Sequence, residues 1–128
     1  MIQAPPDIVL LAPEWRTRAL VRAQLIEEGL EVVAIETWPA MRRQLRPRLK
    51  PKLAIVDLKD LPSPDRVLDD LRVLMKPDRV LVLAAMGTIA PADIERLGFR
   101  VQRRPFAVGD VVRAAANAIR TDQVSADA

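Results

Sequence analysis

Short runs of aliphatic residues alternate with helical segments along this chain of 128 residues, and the alternation constrains the fold more than any other feature. The runs are too short to be helices, and glycine and proline residues mark many of the boundaries between segments. Five strands are predicted in this way, at residues 7–12, 30–36, 52–58, 79–85 and 99–103. Strands that alternate with helices form right-handed βαβ units around a parallel sheet.

The predicted strands are apolar along most of their length, which is typical of a parallel sheet covered by helices on both faces. Five strand–helix units in this length predict one α/β domain, an open doubly wound parallel sheet with the flavodoxin-like strand order 2-1-3-4-5. We expect the domain to occupy residues 7–120. Residues 1–6 are predicted to be an N-terminal extension and residues 121–128 a flexible C-terminal tail.

The first predicted helix carries its apolar residues at helical spacing. Ala19, Ala23 and Ile26 form one stripe, which Leu20 and Leu25 widen. We expect this stripe to face the sheet. Gly29 then ends the helix, because glycine readily adopts the left-handed conformation that follows many helices.

The third predicted strand ends on a carboxylate, Asp57. In an open α/β sheet, ligands bind beyond the carboxyl ends of the strands where the strand order reverses, here between the first and third strands. Two interpretations of Asp57 remain open. It is the reactive group of a binding crevice, or it is a strand-end carboxylate paired with Arg104 or Arg103.

The composition excludes several kinds of site. The chain has no cysteine and no histidine, which removes disulfides, thiolate chemistry, serine–histidine catalysis and the usual zinc ligands. No apolar run reaches the roughly 18 residues that span a bilayer, and the first residues do not form a signal peptide. We expect a cytoplasmic protein without membrane contacts. The net charge of +3 permits an acidic partner but does not by itself indicate nucleic acid.

Several features, in a consistent order and spacing over residues 7–119, resemble the receiver domain of two-component response regulators. Asp57 follows an apolar strand and precedes a proline-containing loop, and Arg104-Pro105-Phe106 matches the Lys-Pro-Phe of that family after the fifth strand. The first helix adds residues at the family's distances, which are Arg18, Leu20 and Gly29. The resemblance implies the fold predicted above and a cis Arg104–Pro105 bond.

In receiver domains an aspartate accepts a phosphoryl group while an acidic pair after the first strand holds Mg²⁺. A lysine after the fifth strand and a hydroxyl after the fourth contact the phosphoryl group. Matched by position, this chain keeps only the acceptor, Asp57. The acidic pair falls on Ala12 and Pro13, the hydroxyl on Ala84 and the lysine on Arg104.

These replacements predict a degenerate phosphorylation site. A dianionic donor beside Asp57 without a metal places like charges about 3 to 4 Å apart, which costs several kcal/mol, and each 1.4 kcal/mol is tenfold in rate. We therefore expect no metal, no cofactor and no enzymatic activity, and a phosphorylation-independent protein-interaction module. The alternative is a working phosphoacceptor in which Glu14, one residue past the lost pair, is an accessory ligand for Mg²⁺.

The resemblance also implies where partners bind. The face formed by the fourth helix, fifth strand and fifth helix is the usual contact surface of receivers. Ile89, Ile94, Val108 and Val112 are its apolar candidates, although some of them must belong to the core. We expect a protein partner in trans, or a homodimer through this face.

Two further features leave alternatives open. Residues 41–52 carry six cationic side chains and no acid, which keeps nucleic-acid binding as a third function. A solvated helix face is favoured, because no aromatic is interleaved for base stacking and no recognition helix accompanies the segment. Trp15, at the start of the first helix, either fills the space of the missing ion or packs ordinarily.

Overall fold

A computed structural model describes the backbone of residues 4–127 and the side chains of residues 4–121. Five parallel strands form one sheet in the order β2-β1-β3-β4-β5, which confirms the predicted fold class and strand order. The strands are β1 (Ile8–Leu11), β2 (Val32–Ile35), β3 (Leu53–Asp57), β4 (Val80–Leu83) and β5 (Arg100–Gln102).

Five α-helices connect and follow the strands. They are α1 (Trp15–Glu27), α2 (Trp38–Gln44), α3 (Pro64–Leu74), α4 (Pro91–Arg96) and α5 (Val108–Asp127), with a short 3₁₀ turn at Pro77–Arg79. Helix α5 runs past the predicted domain end at residue 120. The predicted extension at residues 1–6 and tail at residues 121–128 lie partly outside the described residues, and these bounds stay predictions.

The sheet separates two apolar layers, because successive side chains of a strand point to opposite faces. Val9 and Leu11 of β1 pack into the layer covered by α2, α3 and α4. Ile8 and Leu10 pack into the opposite layer, which α1 and α5 cover. Strands β1, β3 and β4 are fully buried, whereas β2 and β5 are half-buried edges, which agrees with the more polar sequence of β5.

The apolar stripe predicted for α1 faces the sheet only in part, at Leu25. Val21 and Leu25 are the buried residues of this helix, whereas Ala19, Ala23 and Ile26 are exposed. Because α1 carries apolar residues on both sides, spacing alone does not decide which side meets the sheet. Packing against α5 makes that choice.

The helix ends agree in part with their sequence signals. Gly29 follows α1 with a φ of +85°, the left-handed conformation that glycine adopts without strain. Ser63 precedes α3 as predicted, but it has a φ of +49° and its side chain makes no capping hydrogen bond. At α2, by contrast, the Thr37 hydroxyl oxygen accepts a capping hydrogen bond from the Ala40 N–H at 3.4 Å. No helix in the described part of the chain combines the length and apolarity that crossing a bilayer requires.

Candidate functional site

The candidate site lies at the carboxyl edge of the sheet, where β1, β3 and β4 end side by side. Asp57 is the last residue of β3, and it lies opposite Leu83 of β4 in the register. Its side chain is 0% exposed, and it is the only buried charged residue in the described part of the chain. Ala12 and Ala84 follow β1 and β4 and are also buried.

The Arg104 guanidinium holds both oxygens of the Asp57 carboxylate. Nη1 donates to Oδ1 at 2.7 Å and Nη2 donates to Oδ2 at 2.7 Å. The backbone N–H of Lys59 donates a third bond to Oδ1 at 2.9 Å. This two-pronged arrangement is the strongest geometry for an arginine–carboxylate pair, and burial removes the water that would weaken it.

Other groups fix Arg104 in this position. Its Nη1 also donates to the backbone carbonyl of Ala84 at 2.8 Å, and the guanidinium lies 4.7 Å from the centroid of the Phe106 ring. The Arg104–Pro105 bond is cis, as the resemblance implied. Arg103 instead pairs with Glu95 at 3.5 Å on the surface, so the structure selects Arg104 of the two partners left open.

At the end of β1, a second arginine contacts the backbone of Ala12 and Pro13, the two positions that the resemblance matches to an acidic pair. Arg18 Nη1 donates to the carbonyls of Ala12 at 2.7 Å and Pro13 at 3.2 Å, and Nη2 lies 3.7 Å from the Glu36 carboxylate. Neither Ala12 nor Pro13 has a side chain that can ligate a cation. The Arg18 guanidinium therefore binds the backbone carbonyl oxygens of these two residues.

Glu14, the candidate accessory residue, is bound to Lys59. The Lys59 Nζ lies 2.5 Å from Glu14 Oε2, which links the loop after β1 to the loop after β3. The hydrogen bond from Lys59 lowers the pKa of Glu14, and the same bond raises the pKa of Lys59. The Glu14 carboxylate is thus charged and already neutralised by a cation.

These residues do not fit the magnesium ion that receiver domains use. Mg²⁺ requires near-octahedral oxygen ligands, usually including one or two carboxylates. Here the Asp57 carboxylate is held by Arg104 and the Glu14 carboxylate by Lys59. The described residues contain no group of three acidic, histidine or cysteine side chains that could hold a metal.

An open crevice of about 750 Å³ lies over this edge of the sheet. Glu14, Lys59, Arg104 and Phe106 are among its lining residues. Asp57 is not among the described residues that line it, because Arg104 lies between the carboxylate and the crevice. A molecule in the crevice therefore meets the guanidinium of Arg104 rather than the carboxylate of Asp57.

Sequence reasoning missed the roles of Lys59, Arg18 and Phe106. Glu14 and Lys59 have opposite charges and follow adjacent strand ends, so the predicted strand order contained the signal for their contact. The hypothesis that Trp15 fills the space of the ion is wrong, since this side chain is 70% exposed and does not line the crevice.

The basic segment at residues 41–52 runs from α2 to the residue before β3, which lies at the opposite edge of the sheet. Lys52 precedes β3 and pairs with Asp7, which precedes β1, at 3.2 Å. The remaining cations are exposed and make no ion pair with a described carboxylate; they are Arg42, Arg43, Arg46, Arg48 and Lys50. The segment is therefore a solvated surface that takes no part in the Asp57 site.

No protein-family model matches the sequence, and no curated protein matches it significantly. Solved structures do match its fold. A response regulator receiver domain protein from Clostridium thermocellum has a TM-score of 0.74 and 20% identity, over 95% of this chain and 98% of that chain. The receiver domain of NtrX from Brucella abortus has a TM-score of 0.74 and 23% identity, over 90% and 99% of the two chains.

The chain has the receiver fold of two-component response regulators. A Francisella response regulator receiver domain has this fold at only 12% identity and a TM-score of 0.78, over 91% of this chain and 98% of that one. The chain also matches a longer NtrX structure from Brucella abortus, of which it spans 28%. Within this fold, Asp57 is the last residue of β3, Ala12 and Pro13 follow β1, Ala84 follows β4, and Arg104 follows β5.

Proposed function

We propose that this receiver-fold chain is a protein-interaction module of bacterial signalling that acts in the cytoplasm without phosphorylation of Asp57. The buried pair between Arg104 and Asp57 is the observation that carries this proposal. Both carboxylate oxygens accept hydrogen bonds from the guanidinium, at 2.7 Å each. A nucleophile needs access to its donor, and this carboxylate is buried behind the guanidinium that binds both of its oxygens.

The cost of freeing Asp57 is large compared with the barrier of a useful reaction. Separating a buried ion pair leaves an uncompensated charge and costs about 3 to 5 kcal/mol. Since each 1.36 kcal/mol is tenfold in rate, this alone slows attack about 10² to 10⁴-fold. The residues Ala12 and Pro13 add to the barrier, because their side chains cannot hold a divalent ion between Asp57 and the donor phosphoryl group.

The same arrangement argues against a conformational change driven by phosphorylation. Ala84 has no hydroxyl that could follow a phosphoryl group, and its carbonyl is bound to Arg104. The guanidinium supplies a permanent positive charge at the site, linking the ends of β3, β4 and β5. We infer that the domain keeps one conformation. Its signalling effect then depends on the concentrations of this protein and its partner.

Partner contacts in trans follow from the same proposal. In the face formed by α4, β5 and α5, Ile94 and Val112 are buried, and Ile89 and Val108 pack against the core. The exposed side of this face is charged and includes the pairs Arg96–Asp93 and Arg103–Glu95. It suits a partner with charges of both signs, and a homodimer through this face stays a prediction.

Intact-mass measurement after incubation with Mg²⁺ and a small acyl phosphate tests the proposal. We expect no added phosphoryl group on the parent protein. A matched positive control restores the receiver residues at the four replaced positions, as Ala12→Asp, Pro13→Asp, Ala84→Thr and Arg104→Lys together, and should gain the modification. One phosphoryl group on the parent, lost in Asp57→Asn, would establish the alternative of a working phosphoacceptor.

A further inference from the structure

Helix α1 carries a cluster of large hydrophobic side chains that are exposed. Of five large hydrophobic side chains that are exposed, three belong to α1: Trp15 at 70%, Leu20 at 47% and Ile26 at 43%. The other two lie elsewhere: Val73 is on α3, and Met86 is in the loop after β4, where it lines the crevice with Leu20. A surface helix normally presents a polar outer side, so an apolar outer side indicates a contact.

The outer residues of α1 form one continuous stripe. At about 100° per residue, Trp15, Ala19, Ala23 and Ile26 fall within an arc of about 80°, on the side away from the buried Val21 and Leu25. We call these four residues the outer stripe. Its ends are bulky and its middle is small, a shape that allows a second helix to approach closely at the alanines.

The charges beside the outer stripe indicate what covers it. Arg16 and Glu27 lie on the same flank of α1, about 20° apart around the axis and about 16 Å apart along it. Both are exposed, and neither makes an ion pair with a described residue. A cation at one end and an anion at the other end of one flank are complementary to the same helix in antiparallel orientation.

We propose that the outer stripe is a homodimer interface in which α1 of two copies packs antiparallel about a twofold axis. Trp15 of one copy then lies beside Ile26 of the other, and Ala19 and Ala23 form the crossing. The axis brings Arg16 against Glu27 of the second copy twice, because a twofold interface repeats each contact. The contact is separate from the α4–β5–α5 face.

The length of α1 limits the area that the two copies can bury, which favours a weak dimer. A helix of 13 residues is about 20 Å long, so the stripe buries well under the roughly 800 Å² per partner of a standard interface. Arg22 lies on the other flank of α1 near the twofold axis, where it faces Arg22 of the second copy. Repulsion between these two like charges limits the affinity. We expect a reversible dimer with a dissociation constant on the order of tens of micromolar.

Sedimentation equilibrium of the 14.3 kDa chain, from about 5 to 500 μM, is the first measurement. The weight-average mass should rise with concentration towards that of a dimer. Ile26→Ser should weaken association about tenfold, whereas Val73→Ser, which removes an 85% exposed hydrophobic side chain from α3, should leave it unchanged. A mass that stays monomeric over this range, or equal effects of the two substitutions, would overturn the proposal.

Charge reversal tests the antiparallel geometry itself. Arg16→Glu and Glu27→Arg should each weaken self-association about tenfold, since each sets like charges opposite one another twice. An equimolar mixture of the two variants should associate again, because both contacts in the mixed dimer join opposite charges. A mixture that associates no better than its components contradicts the twofold arrangement. This test does not depend on the state of Asp57.

Fluorescence supplies an independent readout at the stripe. In a Trp38→Phe background, Trp15 is the only tryptophan. Its emission should shift to longer wavelength on dilution through the dissociation constant, as the ring becomes exposed to water. An emission maximum that is independent of concentration while the mass changes would place the dimer contact elsewhere and refute the role of α1.

Discussion

Replacing Arg104 by methionine should destabilise the fold by about 3 to 5 kcal/mol at neutral pH. The substitution keeps an apolar stem beside Phe106 but removes the two bonds of 2.7 Å to Asp57. Hydrogen bonds to charged groups contribute about 1.5 to 3 kcal/mol each, and leaving a buried charge without its partner costs a similar total. Only the Lys59 N–H would then remain bonded to the carboxylate.

Urea denaturation measures this loss. With a slope of about 2 kcal/mol per molar urea, the midpoint should fall by about 2 M. Arg103→Met is the matched control, because its pair with Glu95 is more than half exposed on both sides and should cost less than about 1 kcal/mol.

A double-mutant cycle with Asp57→Asn isolates the pair. Asp57→Asn alone should cost less than Arg104→Met, because Arg104 is 21% exposed and can be partly hydrated, whereas Asp57 is not exposed. The coupling energy should exceed about 2 kcal/mol. A coupling below about 1 kcal/mol, or equal losses in Arg104→Met and Arg103→Met, would refute the reasoning that this buried pair holds the site closed.

Two further predictions concern stability. The Glu31 N–H donates to the Asp7 carboxylate at 2.8 Å and holds the pKa of Asp7 below its ordinary value of 3.8. The ionised Asp7 therefore stabilises the fold above that pH, and this contribution is lost as the pH falls below it. Urea midpoints between about pH 3 and 6 should therefore fall less steeply with acid in Asp7→Asn, and an unchanged profile would contradict this. Leu25→Ala should lower the free energy of unfolding by about 2 to 5 kcal/mol, and Ile26→Ala by under about 1 kcal/mol, at concentrations where the chain is monomeric. The reverse order would mean that the opposite side of α1 faces the sheet.

The strand order and the position of Asp57 could be predicted because they depend on local signals. Buried parallel strands are continuous aliphatic runs, and the end of such a run identifies the carboxyl edge of the sheet. The positions of Ala12, Pro13 and Ala84 after their strands are likewise visible in the sequence once strands are assigned, and the resemblance to receiver domains is what implies that they replace site residues. The strand order itself came from the known doubly wound folds with five such units, and none of these inferences needs the packing of the helices.

Other features depend on contacts between distant segments. Which of Arg103 and Arg104 reaches Asp57 is decided by the direction of two adjacent side chains after β5. The inward side of α1 is decided by α5, because both Leu25 and Ile26 are apolar enough to be buried. The contact of Lys59 with Glu14 needs the distance between two loops, which periodicity does not supply.

Nuclear magnetic resonance of the Lys59 backbone amide tests the central claim most directly, because this N–H is bonded to Asp57. The measurement is a titration with Mg²⁺ and then with beryllofluoride, an analogue of a phosphoryl group. The account predicts a resonance that stays in place at millimolar concentrations of both, since Arg104 already holds the carboxylate. A saturable shift of this amide that disappears in Asp57→Asn would contradict it.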